Sequence, residues 1–169
     1  MRRRILVTLA LGGLLLLAVH NFSTAQTINQ NALVGSWVLT FTPNPNPTPT
    51  TNPIPATETP VTGLATFTSD KTVIETDTSA TALRFTPGHG IWTLGPVVSH
   101  WFIQFSNLEA NPDGTLEATR VTTLTVELNS LGNKFTGGYS SDLFYATHPL
   151  VVTSSGTVTG QLMQIPLLP

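Results

Sequence analysis

No cysteine occurs among the 169 residues. The chain therefore has neither a disulfide nor a thiol for lipid attachment, and its stability must come from a packed core. Charge is nearly as scarce, with seven Lys+Arg and nine Asp+Glu making up 9% of the residues. Three of those cations, Arg2, Arg3 and Arg4, stand together at the N-terminus. The four beyond them (Lys71, Arg84, Arg120 and Lys134) face nine acids, a net charge of about minus five that leaves no basic footprint for a nucleic-acid partner. Helical periodicity is also missing, since no stretch of useful length repeats its apolar residues at a spacing of three and four.

The one long apolar run, 5–19, follows the arginines and precedes the small residues Ser23-Thr24-Ala25. That order is the layout of a secretory signal peptide over 1–25. At about 15 residues the run is short of the roughly 20 that a spanning helix needs, and no second long run follows it. The expectation is a secreted or periplasmic protein that begins near Gln26 and has no integral membrane segment after cleavage. Residues 26–169 have the length of one ordinary domain.

What is abundant is Thr, Val, Leu, Phe and Gly, a composition that favours β structure. Over 33–42, Leu33, Gly35, Trp37, Leu39 and Phe41 fall on one face and Ser36, Thr40 and Thr42 on the other, the period of a half-buried strand. Seven prolines then crowd 43–60, where they remove backbone donors and favour an extended, solvated loop. Strands follow at 61–68 and 72–78 around a turn at 69–71, then at 88–94 after a second long connection. The strand at 99–108 sets Trp101, Ile103 and Phe105 on the face opposite Phe102 and Leu108. Asn111-Pro112-Asp113-Gly114 is a strong turn. Alternation is clearest over 115–128, where Leu116, Ala118, Leu124, Val126 and Leu128 share a face with Arg120 and Thr122. Strands at 134–146 and 151–163 complete the set, and Gly137, Gly138, Gly156 and Gly160 suggest bends or bulges within them.

Eight consecutive strands with mostly short links form an antiparallel up-and-down meander. Closing the last strand onto the first removes both edges and gives an all-β barrel; the alternative is an open β-sandwich. At this strand number the interior is either filled by side chains or sized for one small ligand. The connections at 43–60 and 79–87 leave from the same end, so that end is the expected mouth and Trp37 the floor.

Gly35-Ser36-Trp37 on the first strand of such a meander resembles the Gly-x-Trp start of lipocalin-like (calycin) barrels. Lipocalins also place an Arg near the end of the last strand, and 156–161 here contains none. The stretch Pro87-Gly88-His89-Gly90-Ile91-Trp92 is similar to one found in small secreted bacterial β-barrel proteins. Avidin-like, allene-oxide-cyclase and dirigent-like barrels share the architecture, so the resemblance implies the fold and leaves the function open.

The meander places His89, Arg120, Glu75, Asp77 and Tyr145 toward the mouth. Arg120 carries the most information, because a charge on an apolar face needs an internal carboxylate (Glu75, Asp77 or Asp142), an anionic ligand, or a locally shifted outward register. His89 between two glycines reads either as a turn residue or as a ligand or base. His89, His100 and His148 show no metal-ligand spacing, no Gly-x-Ser-x-Gly elbow is present, and no cofactor motif occurs. The expectation is a barrel binding a small apolar or weakly acidic molecule through Arg120, His89, Tyr145, Glu75 and Trp37. Two other classes remain: a barrel-type cyclase or isomerase in which His89, Tyr145 or Glu75 moves a proton, and a structural protein with a filled barrel.

Overall fold

Alternating side chains and turn residues drive the chain into eight strands, which a computed structural model describes over residues 29–44, 59–78, 85–97, 99–147 and 151–164. They are β1 (Gly35–Pro43), β2 (Val61–Phe67), β3 (Thr72–Asp77), β4 (Gly88–Leu94), β5 (His100–Ala110), β6 (Leu116–Leu128), β7 (Lys134–Tyr145) and β8 (Val151–Leu162). Each pairs with its neighbour in sequence, and β8 pairs antiparallel with β1 to close the barrel. The open sandwich is thereby set aside. The signal-peptide segment, most of the proline-rich stretch and His148 lie outside the described residues.

β1 runs from what we call the lower end to the upper. The lower turns are then 68–71, 95–99 and 129–133, while 44–60, 78–87, 111–115 and 146–150 join strands at the upper end. Asn-rich hydrogen bonding tightens the lower β6–β7 turn, where Asn129 Oδ1 accepts from the backbone N–H of Asn133 and Lys134 at 3.0 and 3.1 Å.

Large aromatics fill the lower interior. Trp37 packs 5.0 Å from Phe135, Trp92 packs 5.4 Å from Trp101, and Phe67 meets Trp92 edge-on at 6.2 Å. All five are buried, and together with Leu33, Leu39, Ile103, Leu124 and Val126 they form one continuous core. Leu33 does not extend the first strand as the alternation predicts. It sits in a tight turn at 29–34 that folds beneath the barrel, where its carbonyl accepts the Trp37 indole N–H at 2.8 Å. Gly35 makes that turn feasible with φ of 139°, a conformation that side chains disfavour. Lys71 fastens the same segment: its ammonium donates to Asn31 Oδ1 at 2.9 Å and to the Gln30 carbonyl, and lies 3.9 Å above the Trp92 ring.

Two further expectations are corrected. Of the bends or bulges expected at the late glycines, the bulges are absent from the described pairings, since β7 keeps register with β6 and β8 and β8 with β1, and the register shift lies at Glu109/Ala110. Gly160 instead gives Phe135 its place, because a Cβ there would stand 2.3 Å from the ring. Leu116 is exposed at the upper rim, where the same irregularity pairs it with Ala110 and takes it off the inner face.

Candidate functional site

Directly paired residues in an antiparallel ladder share a face, so register and burial together identify the inner wall. In its upper part the wall changes character. β3 presents Val73, Glu75 and Asp77 inward, and β5 continues Trp101, Ile103 and Phe105 with Asn107. Asn107 pairs with Arg120 on β6, and Glu75 pairs with Gly88 on β4. Four polar side chains from three strands thus meet on one side of the interior.

Their contacts are specific. Arg120 Nη2 donates to Asp77 Oδ2 at 2.9 Å, an ion pair shielded from bulk water on both sides. Arg120 Nε donates to Asn107 Oδ1 at 3.3 Å, and the guanidinium lies 4.3 Å above the Phe85 ring. Asn107 spends its amide donors on the Thr86 carbonyl at 3.1 Å and, over a long 3.5 Å, on Glu75 Oε2. Thr86 is held in place by reciprocal bonds to the Leu108 backbone at 2.8 and 3.0 Å.

Glu75 is 0% exposed, and its Oε1 has no hydrogen-bond partner among the described residues. Burial pushes its carboxyl up to about 7, and the nearby Asp77 adds to the rise, while Arg120 and Asn107 oppose it. Above the cluster, Glu109 pairs with Ala118 and Ala118 with Tyr145, which forms an upper row. Burial and the neighbouring Glu117 raise the Glu109 carboxyl, and burial followed by Glu109 and Glu117 raises the Tyr145 phenol.

Glycines shape the room these groups occupy. A Cβ at Gly63 would stand 3.0 Å from Glu75 Oε1, and one at Gly88 would stand 2.8 Å from Asn107 Nδ2. Either added methyl would press on the polar cluster.

The structure brings Glu75 and Arg120 together and sets Tyr145 on the same inner face nearer the rim. His89 stands elsewhere: it pairs with Ile74 and Ser106 and is exposed on the outer face. Trp37 is buried in the aromatic floor, although Trp37, Ala65 and Glu75 form one cross-strand row because the strands tilt. Asn107, Gly63 and Gly88 are members that sequence reasoning missed. Asn107 had a readable signal, as it occupies the next position in the Trp101–Ile103–Phe105 alternation. No three His, Cys, Asp or Glu side chains among the described residues group to hold a metal ion.

From the β6 side of this cluster toward β7 and β8 the inner wall becomes less buried. Thr122 is buried and its hydroxyl bonds that of Ser141 at 3.0 Å; Ser141 pairs with Ser154, which is exposed to solvent. Tyr139 and Leu143, on the same inner face of β7, are half-buried, and Phe41 meets Tyr139 edge-on at 5.3 Å. The upper interior therefore has a closed polar wall on β3–β6 and a solvent-reached wall on β7–β8. Comparison with protein-family models, curated proteins and solved structures finds no match to the chain. The fold stands as an eight-stranded antiparallel closed barrel of a kind compatible with calycin-like architecture.

Proposed function

We propose that the chain is an exported, lipocalin-like barrel that takes a small apolar or weakly acidic molecule into its upper end. The observation that carries this reading is the exposure of inward-facing Ser154 beside half-buried Tyr139 and Leu143, above a floor sealed by Trp37, Trp92 and Trp101. A concave site above an apolar floor with a few convergent polar groups is the common form of a ligand site. Export is supported by Arg2–Arg4, the apolar run at 5–19 and the small residues that follow.

Titration with a fluorescent fatty-acid probe, followed by energy transfer from the three tryptophans, tests the reading. Saturable binding of about one probe per chain is expected, weakened several-fold in Tyr139→Ala and Leu143→Ala. Absence of saturable binding would turn the assignment to the second reading, a structural barrel. That reading draws on the density of buried aromatics in the lower half.

A further inference from the structure

We infer that Glu75 is the polar recognition point of the barrel interior, and that its Oε1 donates a hydrogen bond to the carbonyl oxygen of a neutral ligand. The inference rests on the binding reading above and names the chemistry of the head group.

The donors and acceptors around the carboxyl dictate its polarity. Asn107 is locked, since its Oδ1 accepts from Arg120 Nε while its Nδ2 reaches the Thr86 carbonyl and Glu75 Oε2. Oε2 therefore faces a donor and must act as an acceptor. When the carboxyl carries a proton, that proton belongs on Oε1, the oxygen with no partner among the described residues. An O–H group held in an apolar interior without an acceptor is a strained arrangement that a ligand acceptor relieves. Gly63 makes room for Oε1 itself, because a Cβ at that position would stand 3.0 Å from it.

Among the described residues, no strand packed against Glu75 turns an unbalanced cation toward it. β2 offers Gly63 and Ala65 and β4 offers Gly88, none of them charged. On β3 stands Asp77, on β6 its ion-pair partner Arg120, on β5 Asn107 with Glu109 further up, and on β7 Tyr145 at the rim. The inner faces of β1 and β8 contribute Trp37, Leu39, Phe41, Ser154, Gly156, Val158 and Gly160, again without charge. The Arg120 charge is balanced by Asp77, so an incoming anion would meet a neutral pair beside further acids. An incoming ammonium would require the ionised carboxylate. Burial keeps the proton on Glu75 up to about 7, which is the state that donates to a carbonyl.

The test is calorimetric titration with a matched set sharing one alkyl chain: a linear methyl ketone, the plain alkane, the primary amine and the carboxylate. Each is run on the wild-type chain, Glu75→Gln and Glu75→Leu, at about pH 6 and about pH 9, either side of the Glu75 transition. At the lower pH the ketone should bind about tenfold tighter than the alkane, on the order of one hydrogen bond made in a dry site. In wild type that advantage should vanish at the higher pH. In Glu75→Gln it should persist at both, because Asn107 holds the amide oxygen and leaves the Gln N–H₂ to donate. Glu75→Leu should keep alkane binding and lose the ketone preference. The bound ketone should also show a carbonyl stretch shifted to lower frequency in wild type and Glu75→Gln only.

Equal binding of ketone and alkane would overturn the inference and leave the binding reading standing. So would an amine preference that grows with pH, which would make Oε1 an acceptor, or a pH dependence that survives in Glu75→Gln. If no member of the set binds, both the inference and the binding reading fail.

Discussion

Arg120 and Asp77 come from strands far apart in sequence and meet at 2.9 Å in the upper barrel. Of the answers open to an arginine on an apolar strand face, the fold contains an internal carboxylate. Removing one member leaves the other as an uncompensated charge in a poorly solvated place. Arg120→Met should therefore destabilise the protein by about 3 kcal/mol, and Asp77→Asn by a similar amount. Urea unfolding of both single variants and the double variant measures this, with the double expected to be less harmed than the sum of the singles.

Glu75 makes stability depend on pH in a predictable direction. Its carboxyl titrates near 4.5 when unfolded and at about 7 in the fold, so the folded state binds the extra proton between those values. The stabilisation is complete below the unfolded value and is lost as pH rises through the folded one. The loss across that window is at most about 3 kcal/mol. Glu75→Gln should remove this slope and exceed the wild type in stability at about pH 8. Thermal unfolding across the window checks it, and a wild-type stability that rises from pH 5 to pH 8 would contradict the burial assigned to this side chain.

Overpacking provides a test of the floor. A side chain at Gly160 would overlap the Phe135 ring, which itself packs on Trp37. Gly160→Val should cost about 3 kcal/mol or more, at the upper end of overpacking effects. Pairing it with Phe135→Leu should recover part of the loss, because the two substitutions share one volume.

Trp37 also holds the turn below the barrel, through its indole N–H on the Leu33 carbonyl. Trp37→Phe deletes that bond and opens a small void, which together should cost about 2 kcal/mol. Hydrogen exchange locates the effect: the Ala32 and Val34 amides, which donate to Asn29 and Asn31, should lose protection before the sheet does.

Strands are legible in this sequence because Thr, Val, Leu and aromatic residues alternate over lengths bounded by Pro, Gly and Asn, and a two-residue period has one structural meaning. Closure is legible from the strand number and the short links. The turn at 29–34 is not, because Leu33 keeps the period of β1 while leaving its backbone, and the positive φ at Gly35 that allows this has no signature beyond the glycine itself. In the polar cluster, Glu75, Asp77 and Arg120 are visible as charges near one end. The part played by Gly63 and Gly88 is hidden, since what matters there is the absence of a side chain against a neighbouring strand. His89 draws attention through its glycine neighbours, yet Gly88 is the residue whose inner side faces Asn107.

The seam between β1 and β8 joins nearly the two ends of the described chain, with Trp37 opposite Leu162 and Phe41 opposite Val158. Until the last strand is available, β1 and β7 each present an unpaired edge, and the aromatic floor lacks its final wall. Such distant pairing makes for slow folding, on the order of milliseconds to seconds, with the rate set by how soon the two termini find each other. A chain shortened within β8 should thus fail to fold cooperatively and self-associate through its exposed edges, so the final strand acts as the latch of the whole assembly.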